Sequence, residues 1–197
     1  MSCIAPRRVG ARDACPRERE PGSLFCRRHE MAPAARRGGW ISAERRRRRM
    51  AAGDEKLDAS NIVPRLWVGG QPPFDRDLPA FDVLVLCAAE LQPERPAFSG
   101  LVIRCPIPDD RLTTAEASRA LATAKMVSDS LLAGHRVLVT CAAGINRSVL
   151  VASLALNRIT RMGADDLVRV MRTRRHPTAL YNGHFQELLR TFTTRRR

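Results

Sequence analysis

A cysteine, an arginine and a serine lie close together between an apolar run and an apolar helix-like segment. Cys141 follows the run at residues 137–139, and Arg147 and Ser148 follow it after a loop that contains Gly144. Backbone N–H groups at a helix N-terminus favour a thiolate over a thiol, and they also bind a phosphate dianion. The segment therefore predicts a phosphate-binding loop with a nucleophile. The predicted phosphate-binding residues are Ala142, Ala143, Gly144, Ile145, Asn146 and Arg147.

The types of the two residues that end this loop suit the same chemistry. The guanidinium of Arg147, in the first helical turn, presents a planar fork of donors that matches two phosphate oxygens at once. The hydroxyl of Ser148 is placed to donate to the sulfur of Cys141 and so to stabilise it as a leaving group. We therefore predict catalytic roles for Cys141, Arg147 and Ser148.

The residues from Cys141 to Ser148 read CAAGINRS, which resembles the C-x-x-G-x-x-R-S signature of the cysteine-dependent protein tyrosine phosphatases of the dual-specificity type. Residues 62–69 resemble the opening strand of that family, and residues 182–189 resemble its closing helix. The resemblance implies a phosphomonoester hydrolase that acts on phosphotyrosine through a phosphocysteine, with phosphoserine and phosphothreonine as further candidate substrates. It implies no cofactor for catalysis.

The same resemblance implies a general acid. Family members carry an aspartate about thirty residues before the nucleophile, and Asp109, at the end of the run Cys105-Pro106-Ile107-Pro108, fits that position. Asp109 would protonate the leaving oxygen and then accept a proton from the attacking water. Asp110 is the alternative, because a shift of one residue exchanges the two.

One position departs from the family pattern. The family usually has histidine directly before the nucleophile, and this chain has Thr140. A threonine hydroxyl can bond a neighbouring backbone group but supplies no imidazole, so the thiolate would be less favoured. The alternative function is accordingly a catalytically weak phosphate-binding module of the pseudophosphatase kind.

The charge of the chain suits an anionic substrate but does not identify it. The formal net charge is +14, and residues 45–49 are consecutive arginines. A positive field concentrates anions, which fits a phosphorylated protein and leaves phosphoinositides and RNA 5′ phosphates as alternatives. The arginine run is a possible contact for nucleic acid or another acidic partner. Without a long apolar stretch or a secretion signal, we expect no membrane span and a cytoplasmic location.

The first thirty residues contain a different kind of site. Three thiols and one imidazole suit tetrahedral zinc, which would have to stabilise so short and polar a segment. The alternative is that these cysteines are scattered along a basic leader. The pattern also resembles small bacterial zinc-binding motifs, so we predict a structural zinc site at residues 1–30 and an arginine-rich linker at residues 31–58. The candidate ligands are Cys3, Cys15, Cys26 and His29.

Residues 59–194 are predicted to form the catalytic domain. Apolar runs at residues 81–87, 101–105 and 135–139 indicate buried strands, and residues 113–133 have helical spacing with a capping-box pattern. Alternating strands and helices predict an α/β fold with a mostly parallel central sheet flanked by helices, as in dual-specificity phosphatases. Cys87 resembles the second cysteine of some relatives, so a reversible Cys87–Cys141 disulfide is a hypothesis, with a buried inert thiol as the alternative. His176 and His184 are assigned no catalytic role.

Overall fold

The structure is a computed structural model and describes residues 57–194. This part of the chain alternates between strands and helices, and each predicted strand or helix has a counterpart in it. Its elements are β1 (Ala59–Val63), β2 (Leu66–Gly69), β3 (Val83–Ala88), β4 (Leu101–Ile107), α1 (Thr114–Leu132), β5 (Val137–Thr140), α2 (Arg147–Thr160), α3 (Ala164–Arg174) and α4 (Gly183–Thr194).

The strands form one five-stranded sheet in the order β1-β2-β5-β3-β4. Only the β1–β2 pair is antiparallel, and β5 runs parallel to both β2 and β3. Every residue of β3 and of β5 is buried, as expected for the interior strands of a parallel sheet covered by helices. The predicted α/β fold with a mostly parallel sheet is confirmed, and the strand that leads to Cys141 lies at the centre of the sheet.

Helix α2 forms the centre of the helical layer. All of its residues from Arg147 to Asn157 are buried, which explains why the sequence is apolar on nearly every face there. The helix packs against α1 and against β2, β3 and β5. Because a buried helix is held on several sides, its first residue has a fixed position. Helix α1 begins with the predicted capping box, in which Thr113 and Glu116 bond each other's backbone N–H groups.

The predicted opening strand is two strands. Residues 62–69 turn back on themselves at Pro64 and Arg65, so that β1 and β2 form a hairpin closed by the Val63–Leu66 pair. Proline has no N–H for a ladder bond, and Arg65 adopts a φ of 72°, which reverses the chain. A single extended strand through these residues was therefore the wrong expectation.

Several predictions concern residues outside the described range. The candidate zinc ligands Cys3, Cys15, Cys26 and His29, and the arginine run at residues 45–49, all precede residue 57. Within residues 57–194, no group of three or more His, Cys, Asp or Glu side chains is arranged to hold a metal ion. Over the same residues, no helix combines the length and apolar character needed to cross a membrane.

Candidate active site

The loop from Cys141 to Arg147 is fixed to the domain through its carbonyl groups. The carbonyl oxygen of Ala142 accepts a bond from the N–H of Gln71 at 2.9 Å, and that of Ile145 accepts one from Leu180 at 2.8 Å. The carbonyls of Ala143 and Gly144 accept bonds from the guanidinium of Arg175 at 3.2 and 3.0 Å. Four consecutive carbonyls therefore point away from the centre of the loop.

The orientation of these carbonyls determines where the loop N–H groups point. In a trans peptide, the C=O of one residue and the N–H of the next point in opposite directions, and the described chain has no cis peptide. The N–H groups of residues 143–146 consequently face the inside of the loop. One of them, that of Gly144, donates to Sγ of Cys141 at 3.2 Å. This arrangement is a concave set of donors that suits an anion.

The sulfur of Cys141 lies at the base of this concave loop. Its side chain is nearly enclosed, and its Sγ is 3.3 Å from Oγ of Ser148, in the first turn of α2. The N–H of Gly144 and the start of a helix both place partial positive charge near the sulfur. The structure thus brings together the predicted nucleophile and the predicted hydroxyl donor.

Arg147, the first residue of α2, is held by a residue that the sequence did not reveal. Its two terminal nitrogens donate to the two carboxylate oxygens of Glu90, at 2.5 and 2.6 Å. Burial opposes the charge on Arg147, but the hydrogen bonds to Glu90 and the nearby negative groups outweigh it and raise the pKa of the guanidinium. The hydrogen bonds from Arg147 in turn hold the pKa of Glu90 below its ordinary value. Both groups are therefore charged across the physiological range.

The third nitrogen of Arg147 has a different environment. Among the residues that the structure describes, Nε of Arg147 is one of four buried side-chain N or O atoms with no hydrogen-bond partner. A buried N–H without a partner costs free energy, and a bound anion beside Arg147 would satisfy it. The orphaned donor therefore fits a site that is completed by its ligand.

A second arginine, Arg175, fixes the outer side of the loop. Besides its bonds to the loop carbonyls, it donates from both terminal nitrogens to the carboxylate of Asp58, each at 2.7 Å. Hydrogen bonding to Arg175 holds the pKa of Asp58 below its ordinary value. The side chain of Arg175 is 8% exposed although it lies at the end of α3, because the loop and Asp58 cover it. Asp58 and Arg175 were not predicted as site residues.

Asp109 lies at the rim of the loop, two residues after the end of β4. Its carboxylate accepts hydrogen bonds from the side-chain amides of Asn146 and Asn182, each at 3.2 Å. The alternative residue, Asp110, is exposed and accepts a bond from the N–H of its neighbour Arg111. Of these two carboxylates, Asp109 is the one bonded to the phosphate-binding loop.

The side chain of Thr140 bonds to the sheet rather than to the loop. Its buried hydroxyl donates to the carbonyl oxygen of Val85 on β3 at 2.9 Å. This bond joins β5 to β3 immediately before Cys141. The residue that stands where the family usually has histidine is thus directed toward the neighbouring strand.

The remaining candidate residues lie around the site without entering it. Cys87, on β3, is a free buried thiol that lines the same narrow cleft as Cys141. Burial, with a further contribution from the neighbouring Cys105, raises the pKa of the Cys87 thiol well above its ordinary value. His176 and His184 are both exposed, and Nδ1 of His176 bonds the hydroxyl of Thr178. Neither histidine is hydrogen-bonded to Cys141 or Asp109.

Residues 80–195 match the family described as dual specificity phosphatase, catalytic domain. That match spans more than half of the chain and includes Glu90, Asp109 and the whole loop from Cys141 to Ser148. The chain belongs to this family. No curated protein matches the chain. The dual-specificity phosphatase resemblance that the signature predicted is confirmed, and the predicted zinc motif lies outside the residues matched.

Solved structures share the fold at low sequence identity. Human DUSP28 is 18% identical, with a TM-score of 0.57, over 70% of this chain and 94% of its own. The human tyrosine phosphatase-like serine/threonine/tyrosine-interacting protein is 22% identical, with a TM-score of 0.57, over 70% and 97%. OH1 from the Orf virus, described as a tyrosine phosphatase, is 18% identical, with a TM-score of 0.52, over 74% and 94%. These likenesses support the fold of the domain.

Proposed function

We propose that the protein is a phosphomonoester hydrolase that dephosphorylates phosphorylated proteins through a phosphocysteine on Cys141. The observation that carries the proposal is the orientation of the loop, whose outward carbonyls are bonded by their neighbours so that its N–H groups face Sγ of Cys141. Such a set of fixed donors suits the equatorial oxygens of a phosphoryl group in its transition state. The unpartnered Nε of Arg147 supplies one more donor.

The first step transfers the phosphoryl group to the enzyme. The thiolate of Cys141 attacks phosphorus, an S–P bond forms, and the bond from phosphorus to the leaving oxygen breaks. Asp109, protonated at this stage, gives its proton to that oxygen, so the product leaves as a neutral alcohol or phenol. The loop N–H groups and Arg147 hold the transferred group throughout.

The second step releases phosphate. Asp109, now a carboxylate, takes a proton from a water molecule whose oxygen attacks phosphorus, and the S–P bond breaks. The hydroxyl of Ser148, 3.3 Å from Sγ, donates to the departing sulfur and stabilises it as a thiolate. Inorganic phosphate leaves, and Asp109 is again protonated for the next substrate. This scheme uses no metal in the catalytic steps.

The side chains of the loop favour a phosphoprotein as substrate. Ala142, Ala143, Ile145 and Asn146 are uncharged. A phosphoinositide or an RNA 5′ end carries several phosphates, which are usually bound by basic side chains near the reacting group. A single phosphate on tyrosine, serine or threonine needs only the loop N–H groups and Arg147. Competition assays with each class of substrate would rank them.

The test is hydrolysis of an aryl phosphate in the presence of a metal chelator. The unaltered chain is compared with Cys141→Ser and Asp109→Ala, and with Asp110→Ala as the matched control for the acid. We expect turnover that survives chelation, vanishes in Cys141→Ser, falls strongly in Asp109→Ala and persists in Asp110→Ala. Turnover that requires added metal, or that survives in Cys141→Ser, would overturn the proposal. A zinc site at Cys3, Cys15, Cys26 and His29 is proposed as structural, so chelation would leave the chemistry intact.

A second candidate function rests on Thr140. Because residue 140 is threonine, it supplies no imidazole, and its hydroxyl donates to Val85 on the neighbouring strand. A phosphate-binding module with weak turnover is therefore the alternative. Vanadate or tungstate binding to the unaltered chain, measured by calorimetry, discriminates the two together with the turnover assay. Tight binding without turnover favours the binding module, and binding with turnover that Cys141→Ser abolishes favours the enzyme.

A further inference from the structure

We propose that Asn146 and Asn182 are positioning residues for Asp109, and that they act by strengthening their hydrogen bonds as its proton leaves. This inference rests on the proposed function, because it assigns Asp109 the role of general acid. Asn146 belongs to the phosphate-binding loop and Asn182 precedes α4, so the two amides reach Asp109 from different parts of the chain. Each donates from Nδ2, to a different carboxylate oxygen, at 3.2 Å.

The direction of both amides follows from backbone N–H donors, which bond the oxygen of a side-chain amide and not its nitrogen. Oδ1 of Asn182 accepts the N–H groups of His184 and Phe185, at 3.0 and 3.4 Å, and so caps α4. Oδ1 of Asn146 accepts the backbone N–H of Asn182 at 3.2 Å. With both oxygens engaged by N–H groups, both Nδ2 groups face Asp109. The two donors toward the carboxyl group are therefore set by the surrounding backbone.

The effect of two such donors depends on the charge of Asp109. A hydrogen bond to a carboxylate is about twice as strong as one to a neutral group. As Asp109 gives its proton to the leaving oxygen, it becomes negative, and both bonds strengthen in the transition state rather than in the resting enzyme. Interactions of that kind raise the rate of the chemical step. Asn146 is 2% exposed, so its amide faces little competition from water.

This arrangement also ties proton transfer to the loop that binds phosphate. Asp109 lies on an exposed segment, and its two oxygens are bonded to one residue of the loop and to the residue that precedes α4. The proton donor is thereby held at a fixed position relative to the leaving oxygen of a bound phosphoryl group. A general acid must be within hydrogen-bond reach of the oxygen it protonates, so its geometry governs its contribution.

The dependence of the rate on the leaving group tests this role. A strongly acidic phenol leaves without help, whereas a weakly acidic one needs the proton. For Asn146→Ala we expect kcat/KM with phenyl phosphate to fall about tenfold or more, and with 2,4-dinitrophenyl phosphate to fall less than about threefold. kcat/KM is the informative constant because it reports the step in which the cysteine is phosphorylated. Asn182→Ser provides a second variant, since serine keeps a cap for α4 while losing the amide donor.

A double-mutant cycle separates this role from a purely structural one. If Asn146 acts through Asp109, Asn146→Ala has little further effect in the Asp109→Asn background. Equal losses with both aryl phosphates, or a full loss in the Asp109→Asn background, would overturn the inference and leave the proposed function in place. Absence of turnover in the unaltered chain would overturn both.

Discussion

Glu90 holds Arg147 by two hydrogen bonds, one from each terminal nitrogen, so the guanidinium at the end of the predicted phosphate-binding loop is oriented before any substrate arrives. Glu90 lies in the turn after β3 and is 54% exposed, whereas the side chain of Arg147 is 6% exposed. An exposed carboxylate thus fixes the orientation of a buried guanidinium. A fork held at both terminal nitrogens loses little further freedom when it meets a phosphate.

Removing the carboxylate of Glu90 is expected to damage phosphate binding. In Glu90→Ala the terminal nitrogens of Arg147 lose both bonds to the carboxylate and keep a 3.5 Å bond to the carbonyl oxygen of Ile107, so the fork is held less firmly. We expect kcat/KM for an aryl phosphate to fall about tenfold to a hundredfold in Glu90→Ala. In Glu90→Gln the loss should be smaller, because the side-chain amide keeps one acceptor. The measurement is steady-state hydrolysis, with Glu94→Gln, an exposed glutamate of the same loop, as control. An unchanged kcat/KM in Glu90→Ala would contradict the role.

The support given by Arg175 to the loop predicts a loss of both activity and stability. Arg175→Lys retains the charge but cannot bond Asp58, Ala143 and Gly144 together, because an ammonium has no planar fork. We expect unfolding to become easier by about 1–3 kcal/mol and turnover to fall. The neighbouring Arg174 is exposed, so Arg174→Lys serves as the matched control in denaturant unfolding and turnover. Equal losses of stability and of turnover in Arg175→Lys and Arg174→Lys would refute this account.

Gly144 has no room for a side chain. Its φ is +69°, and a Cβ placed there would lie 2.6 Å from the backbone nitrogen of Gly70 and would also collide with Arg175. We expect Gly144→Ala to cost roughly 1–3 kcal/mol from the backbone conformation alone, with overlap adding to that. Thermal unfolding measures the loss. Gly163→Ala is the control, because nothing lies within 4 Å of a Cβ at that position. A Gly144→Ala protein as stable as Gly163→Ala would exclude the crowded loop described above.

The Asp82–Arg136 pair predicts how stability depends on pH. Arg136 donates to Asp82 from its side chain and its backbone, just before β5 and β3 begin, and its side-chain hydrogen bonds hold the pKa of Asp82 below its ordinary value. A carboxyl group whose pKa is lower in the folded chain stabilises the fold at pH values above its unfolded pKa of about 3.9. That stabilisation is lost as the pH falls through the lower, folded pKa.

Asp82→Asn should therefore be less stable at pH 7, by on the order of 1 kcal/mol because the pair is partly exposed to solvent. The difference from the unaltered chain should shrink as pH falls below about 4. Urea unfolding at a series of pH values provides the measurement. Asp129→Asn removes a surface pair with Lys125, whose side chains are 60% and 56% exposed, and should change stability by only about a few tenths of a kcal/mol. A stability difference between Asp82→Asn and the unaltered chain that grows toward low pH would contradict this account.

Oxidation by a peroxide is predicted to join Cys87 to Cys141. Peroxide converts the Cys141 thiolate to a sulfenic acid, which condenses with the Cys87 thiol to a disulfide and water. Because the pKa of Cys87 is raised, the disulfide should form slowly at neutral pH and faster as pH increases. Intact mass should show the loss of two hydrogen atoms, reversed by a thiol reductant. The same mass change in Cys87→Ser, with Cys105→Ser as control, would contradict this pairing.

The parts of the site that follow one another in sequence could be predicted, and those that meet across the fold could not. Cys141, Arg147 and Ser148 lie within one strand-loop-helix unit, so their order alone implied a shared loop. Glu90 is separated from Arg147 by 57 residues, and Asp58 from Arg175 by 117. Charged residues on exposed turns are common, and no local pattern distinguishes those that will bond a buried arginine.

Asn182 has one role that its sequence neighbourhood indicates and a second role that it does not. An asparagine directly before an amphipathic segment is typical of a helix cap, and Oδ1 of Asn182 caps α4. The same side chain uses Nδ2 to bond Asp109, 73 residues away. Capping is set by neighbouring residues, whereas the second bond depends on how α4 packs. The hairpin at Pro64 and Arg65 was missed because the flanking residues share strand character.

The central position of β5 has a consequence for how the domain opens. Because β2 and β3 flank β5 on either side, its amides cannot be exposed by fraying at an edge of the sheet, and slow hydrogen exchange is the signature of such a strand. The strand that leads directly to Cys141 is therefore expected to open only when the sheet itself opens. Asp109 and Glu90, in contrast, are exposed and lie outside the strands and helices, where local opening is expected to cost less free energy. Local opening of the segments that hold Asp109 and Glu90 would then change the reaction rate, whereas β5 would stay hydrogen-bonded until the whole domain unfolds.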